Sequence, residues 1–385
     1  MTFTLSVLKE TQPGEKRVAL TPAVATRLKR LGADISLEAG AGCAASLADA
    51  AYQGSRAVSD TRELVADADV VLAVQPPPVA VVRQMKAGAI LISFVHGAGS
   101  PDLVRALRDA KVTSFAIEQL PRISRAQAMD ALSSQAALAG YYAPLLGAVH
   151  LPRILPMMTT AAGTLRAATV LVMGLGVAGL QALSTAHRLG AITEGYDVRP
   201  ETKEQAQSLG AKFVDTGVDA RGEGGYAREL TAEEKAKVAQ ALDRHIAGAD
   251  MIVTTAAVPG RRAPRLISAV QVASMKPGSV IVDLGAEGGG NCEGTKPGQT
   301  VTVGPATILG PLNVPSMLAE HASELYARNL LNFIEPIVKE GAIQLDFDDE
   351  IIAKTVLTHD GTIRNAAIRA AVDAAAAPPV MEKTA

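Results

Sequence analysis

Tryptophan is absent from this 385-residue chain, aromatic residues make up only 3% of it, and cysteine occurs twice. A core with so few large rings has to be packed mostly from small aliphatic side chains, which suits closely layered strand–helix–strand units. Cys43 and Cys292 cannot form a disulfide framework, and neither has ligand neighbours at zinc spacing. No metal site is expected, and a reducing, cytoplasmic setting is. A dominant charge is also missing. The 37 Lys and Arg against 39 Asp and Glu leave a net charge of −2, which gives no electrostatic footprint for nucleic acid. The longest apolar stretch, Ala136 to Val149, is too short to cross a bilayer and contains Tyr141, Tyr142 and Pro144. The opening residues Met1 to Leu5 run straight into a strand-like segment, without the basic and apolar regions of a signal peptide. The chain is therefore not expected to span a membrane itself, although it can dock on a protein that does.

The length is too great for one ordinary core, so two domains are expected. Strand candidates in the first stretch are Leu5–Leu8, Asp34–Glu38, Val70–Val74, Ala89–Val95 and Thr113–Ile117. Segments with apolar residues at three- and four-residue intervals lie between them, among them Pro22–Leu31 and Pro101–Ala110. Strands joined by helices imply parallel pairing with right-handed crossovers. The pattern then repeats. Thr169–Met173, Ile192–Tyr196, Met251–Thr255, Ser279–Leu284, Thr300–Val303 and Ala306–Leu309 read as buried strands. Leu180–Leu189 and Thr202–Leu209 read as helices, and Thr231 with Glu234 forms a capping box opening a helix to about Ile246. The expected fold is α/β, with two Rossmann-like, doubly wound parallel-sheet domains linked by long helices near 131–150 and 317–339. Residues 1–133 plus 312–385 would form a discontinuous first domain without nucleotide, and 134–311 the nucleotide-binding one. The Ala- and Pro-rich tail after Val372 reads as a loose end.

Gly174-Leu175-Gly176-Val177-Ala178-Gly179 directly follows the apolar run Thr169–Met173 and precedes the helical segment from Leu180. Gly174 permits a tight turn, Gly176 lets backbone approach a pyrophosphate, and Gly179 lets the helix sit close to the strand. Amides at the helix N-terminus then point at the phosphates. A six-residue glycine pattern is weak by itself in a chain with 34 glycines, but the strand before it and the helix after it supply the context. Asp197, eighteen residues past Gly179 at the end of the next strand, stands where an acid binds the adenosine ribose hydroxyls. It also repels a 2′-phosphate and so favours NAD, although Arg199 nearby can blunt that preference. A second pattern, Gly40-Ala41-Gly42 after Asp34–Glu38, lacks a clear third glycine, and Glu63 lies in a helical stretch; it reads as a plain tight loop.

Pro121 to Gln135 is polar where the domains should meet, and Arg122, Gln127, Asp130 and Ser133 are candidates to reach one small ligand. Such a run also reads as a solvated loop and helix cap. Gly222-Glu223-Gly224-Gly225-Tyr226-Ala227 is either a surface loop or a lid carrying Tyr226. His96 ends a strand and is a candidate proton donor or a structural histidine. The remaining histidines read as helix-surface or loop residues.

At these residues the chain resembles a known family, the NAD(H)-binding component, or domain I, of proton-translocating nicotinamide nucleotide transhydrogenase. The likeness covers nearly the whole length. It is carried by Pro13–Pro22, the Arg-Gln-Asp run Pro121–Gln135, Pro156–Thr164, the glycine fingerprint, Gly285–Cys292 and Asn313–Ser316. The resemblance implies a homodimer of two-lobed subunits holding NAD(H), a separate NADP(H)-binding partner subunit, and a membrane-spanning partner subunit that moves protons. The protein would be cytoplasmic, attached peripherally to the inner membrane through those partners. It further implies that Arg122, Gln127, Asp130 and Ser133 surround the nicotinamide and its ribose. Gly174, Gly176, Val177, Gly179, Asp197, Val198 and Arg199 would surround the rest of the nucleotide, with Tyr226 on a mobile loop. Direct hydride transfer between two nicotinamides needs geometry rather than a proton donor, which fits a site without an obvious acid–base pair. Alanine dehydrogenase shares the opening motif, and Arg17 and His96 match its substrate site, but its lysine is here Gln75. A pure NAD-sensing module without a redox partner is the other alternative.

Overall fold

A computed structural model of the chain describes residues 2–219, 228–256 and 262–376. The expected lid Gly222–Ala227, with Tyr226, lies outside the described residues. The chain divides into two compact units, Met1–Ser134 with Ser316–Ala385, and Gln135–Pro315.

In chain order the first stretch contains β1 (Phe3–Val7), α1 (Pro22–Arg30), β2 (Ala33–Glu38), β3 (Arg56–Val58), α2 (Thr61–Ala66) and β4 (Val70–Leu72). It continues with α3 (Val79–Val82), β5 (Ile90–Ser93), α4 (Pro101–Asp109), β6 (Thr113–Ala116) and the long α5 (Ala131–His150). The second stretch holds β7 (Met158–Thr160), β8 (Gly163–Leu165), β9 (Thr169–Met173), α6 (Val177–Arg188), β10 (Ile192–Tyr196) and α7 (Thr202–Ser208). It goes on through β11 (Lys212–Phe213), α8 (Ala232–Gly248), β12 (Met251–Thr254), α9 (Ala269–Ala273), β13 (Ser279–Asp283), β14 (Thr300–Val303) and β15 (Ala306–Leu309). The return comprises α10 (Ala319–Ile334), β16 (Val338–Lys339), β17 (Ala342–Ile343), α11 (Glu350–Thr355), β18 (Val356–His359), β19 (Thr362–Ile363) and α12 (Ala366–Ala376). The helix carries the chain through Val372 to Ala376, and the rest of the tail expected to be loose lies outside the described residues.

The first unit is built on an eight-stranded sheet in the order β19-β18-β6-β5-β4-β1-β2-β3. From β1 the strands run outward in both directions, so the winding reverses between β1 and β4. Alternate residues of β4 serve opposite faces: Val70 and Leu72 join one apolar layer, Val71 the other. A sheet covered on both faces needs this near-continuous apolar strand. Helix α1 shows how sequence sets such a layer. Pro22 stands in its first turn, Arg27, Lys29 and Arg30 crowd its last turn, and Val24, Ala25 and Leu28 form the buried stripe.

The second unit has a seven-stranded sheet, β11-β10-β9-β12-β13-β15-β14. Val170, Val172, Val253, Val280 and Val282 look to one core layer, while Leu171, Met173, Ile252 and Ile281 look to the other. Helix α8 opens on the expected capping box of Thr231 and Glu234 and buries Val238, Leu242 and Ile246. Gly140 and Gly147 lie on α5. A Cβ at Gly140 would fall 2.1 Å from the Ala178 carbonyl oxygen, and one at Gly147 2.7 Å from the Met251 sulfur.

Neither sheet is wholly parallel. β14 pairs antiparallel with β15, and β18 with both β6 and β19. The hairpins follow from two-residue links: Gly304-Pro305 with Gly304 at φ +56°, and Asp360-Gly361 with both residues at positive φ. β14 is also half-exposed rather than buried.

Candidate functional site

The winding of the second sheet reverses at β9, which pairs with β10 on one side and β12 on the other. In open sheets of this kind the ligand crevice lies beyond the carboxyl ends of the strands at that point. Gly174 to Gly179 sits there, and its three glycines answer to three different demands. Gly174 has φ +95°, and its carbonyl accepts a 2.7 Å hydrogen bond from the Thr255 hydroxyl. A Cβ on Gly179 would come within 1.8 Å of the Gly174 carbonyl oxygen. Gly176 is different. Its φ of −77° suits any residue, and a Cβ there would meet no atom of the described residues within 4 Å. Among the described residues neither backbone nor packing demands glycine at that position, and the space beside it is open to a ligand. Gly176 is also the N-cap of α6 and carries no capping side chain, and the first turn holds no acidic residue. The amides of Val177, Ala178 and Gly179 therefore keep the donor capacity and positive partial charge of a helix start. The elbow fits a dinucleotide's diphosphate.

Asp197 follows β10 and faces this elbow. One carboxylate oxygen accepts from the Leu175 amide at 2.6 Å and Arg199 Nη2 at 2.8 Å. The other accepts from the Arg199 amide and Nε, both at 2.9 Å. Val198 between them packs partly buried against the sheet's second layer. The acid thus holds the glycine turn by backbone and the arginine by a bidentate fork.

Two supports of the elbow escaped the sequence reading. Thr255 is one. The other is Asp283, which is fully buried at the end of β13 and accepts five hydrogen bonds. The donors are the hydroxyls of Thr254 and Thr295 and the amides of Gly285, Asn291 and Cys292, at 2.6–3.0 Å. Asn291 in turn donates to the carbonyls of Ala256 and Pro264. Gly285–Cys292 is legible as a motif, but nothing local says that one buried carboxylate organises it. Cys292 is a structural thiol: burial pushes it up to about 12.

In the first unit the polar run forms a single turn. Ser124–Met129 is a 3-10 segment plugged into the core by Ala126 and Met129. Asp130 accepts from the Ser133 amide at 2.9 Å and hydroxyl at 2.6 Å, so the two side chains cap α5 together. Arg122 and Gln127 are exposed, and the Gln127 side-chain amide makes no hydrogen bond to any described residue.

A second polar cluster lies beyond β1 and β4. The Arg17 guanidinium grips the buried Glu15 carboxylate through Nε at 2.8 Å and Nη2 at 2.6 Å, and Gln75 donates to Glu15 at 2.9 Å. Burial alone would raise the Glu15 carboxyl, but Arg17 holds it down to about 2. Glu10, accepting from the amides of Val74 and Gln75, is pushed up to about 7 by burial. His96 sits at φ +50° with an exposed ring stacked on Phe94, while its amide donates to Glu118 at 2.6 Å. His245 is not a surface residue; it is largely buried, 2.6 Å from Glu194. Among the described residues no group of His, Cys, Asp or Glu is arranged to hold a metal. No described helix is long and apolar enough to cross a membrane.

A reversing parallel sheet, a glycine elbow on a bare helix start and an acid at the next strand end define a Rossmann-type nucleotide-binding protein. Residues 6–139 match the alanine dehydrogenase/PNT N-terminal domain and residues 143–366 its C-terminal domain. The chain belongs to this family. It is 44% identical over 377 residues to the first portion of the NAD(P) transhydrogenase alpha subunit of Rhodospirillum rubrum, covering 94% of this chain and 98% of the relative. A crystal structure of transhydrogenase from Sinorhizobium meliloti matches with TM-score 0.84 and 42% identity, over 94% of this chain and 99% of that one. Alanine dehydrogenase of Mycobacterium tuberculosis is more distant, at 29% identity over 92% of each chain.

Proposed function

We propose that this chain is the NAD(H)-binding component of a proton-translocating NAD(P) transhydrogenase. It passes hydride directly between its own NAD(H) and NADP(H) on a partner subunit, and a membrane-spanning subunit couples that transfer to proton movement. The observation that carries the reading is Gly176: an ordinary backbone conformation, and no described atom within 4 Å of where a Cβ would stand, at the start of an uncapped helix. The transhydrogenase names of the relatives support the rest. Bound nicotinamide nucleotide would supply the hydride chemistry. The chain's own role is to bind and orient. The elbow Gly174, Gly176, Val177 and Gly179 takes the diphosphate, and Asp197, Val198 and Arg199 take the adenosine end. Arg122, Gln127, Asp130 and Ser133 serve the nicotinamide end; Tyr226, proposed to contact the nucleotide as well, lies outside the described residues. The protein works as a homodimer attached peripherally to the inner membrane. The exposed hairpin β7–β8, with Met157, Met158 and Leu165 open to solvent, supports a second copy covering that surface.

Alanine dehydrogenase is the weaker reading. Gln75 can neither bear charge nor take the lysine's role, and it joins Arg17 on the internal carboxylate of Glu15. The adenosine end gives a direct test. Asp197→Asn should weaken NADH binding by roughly tenfold or more and narrow the preference over NADPH, measured by nucleotide fluorescence titration. An unchanged preference would show that Asp197 does not read the ribose.

A further inference from the structure

The turn 122–133 is tied to the returning end of the chain by the side chains of Asn329, Asn332 and Asp349, and Asn329 bonds both the 3-10 segment and the first turn of α5. Asn329, on α10, is buried at 8% exposure, on a helix whose Leu330, Leu331 and Phe333 are also buried. Its Nδ2 donates to the Ala128 carbonyl at 2.9 Å, and its Oδ1 accepts from the Ser134 hydroxyl at 2.7 Å. The amide's orientation is settled by its partners, because a carbonyl on one side demands the NH₂ there. Asn332, one turn further along α10, donates to the same Ala128 carbonyl at 2.9 Å. Arg125 pairs with Asp349 at 2.6 Å, and Asp349 is the N-cap of α11. A buried amide costs free energy unless both its ends are paired, so a helix whose only task was to fill the core would carry an aliphatic residue here. Ala126 and Met129 fix the depth of the turn by apolar contact; the bonds from α10 fix its rotation.

We propose that Asn329 is a positioning residue for hydride transfer, holding the turn so that Gln127 and Arg122 present their side chains in one orientation. The inference rests on the reading in which that turn serves the nicotinamide end. Asn329 touches no reacting atom; it acts through the backbone at Ala128 and the start of α5. Losing it lets the turn rotate, and misplacement by an ångström slows transfer without removing the nucleotide's anchors.

The test uses the full chain combined with an NADP(H)-binding component. In Asn329→Leu, kcat for transhydrogenation is expected to fall roughly tenfold while the NADH dissociation constant stays within about twofold. Amide hydrogen exchange should quicken in 124–134 and stay unchanged in the rest of the chain. Gln127→Asn is run beside it. Slowed Gln127→Asn with wild-type kcat in Asn329→Leu overturns this inference and leaves the functional reading standing; full rate in Gln127→Asn removes the reading itself. Should the leucine variant fail to fold, Asn332→Ala takes its place. It removes the second donor to the same carbonyl from a half-buried position and is expected to lower kcat by about two- to threefold. Unaltered kcat there overturns the inference.

Discussion

Gly176 and Gly179 stand three residues apart in one elbow, and an added methyl group would have opposite consequences at the two. At Gly179 it would meet the Gly174 carbonyl oxygen at 1.8 Å, so strand and helix would have to separate. Gly179→Ala should cost the fold about 2–3 kcal/mol, seen as a lower denaturation midpoint. At Gly176 the methyl meets no atom of the described residues, and the fold cost there is a poorer N-cap, about 1 kcal/mol or less. Yet the same methyl stands where a diphosphate would approach, so Gly176→Ala should weaken NADH binding by roughly tenfold or more. NADH titration against denaturation curves for the two variants separates the effects; undiminished affinity in Gly176→Ala would contradict the account. Much of the elbow is legible in sequence because three glycines, a strand and a helix start all lie within eleven residues. Thr255, Asp283 and Asn329 are not, since each acts on a partner brought near only by the fold. Arg17 and Glu15 are neighbours in sequence, but nothing in their spacing says that both are buried against Gln75.

Among elements, strand ends are tied to one another by buried carboxylates, and their protonation reaches the stability of the first unit. Glu10, three residues past β1, accepts from the amides of Val74 and Gln75 beyond β4. Its carboxyl keeps a proton up to about 7 in the folded chain, but up to only about 4.5 when unfolded. The native state therefore binds the extra proton between those limits, and stability falls as pH rises through them. Glu15 works in the other direction and in another window: its lowered value gives stability that is lost only as pH drops from about 4.5 towards about 2. Between about pH 5 and pH 8, Glu10→Gln should accordingly flatten the decline in urea midpoint that the wild type shows. A wild type without that decline would contradict the assignment. The strands and helices themselves follow closely from apolar periodicity, and the capping box of α8 starts the helix where the sequence says. Pairing direction is what periodicity hides. The antiparallel hairpins come from the Gly304-Pro305 and Asp360-Gly361 links, β18 meets β6 antiparallel from the far end of the chain, and β3 and β11 are too short to show a pattern.

For the whole molecule, the hairpin β7–β8 exposes every one of its residues and has no core of its own. A two-stranded ribbon is marginal alone in water, and the proposed homodimer would give it something to pack on. Sedimentation equilibrium should return twice the 39.7 kDa chain mass; a single-chain mass would remove the homodimer. Beyond assembly, the central matter is what the chain does with its nucleotide. The most direct measurement supplies NADH deuterated at the transferring position, the chain, and NADP⁺ on an NADP(H)-binding component, then follows the label. The predicted result is deuterium in the NADPH formed, with none lost to solvent. NADPH carrying solvent hydrogen, or NADH consumed with pyruvate and ammonia while NADP⁺ stays untouched, would contradict it.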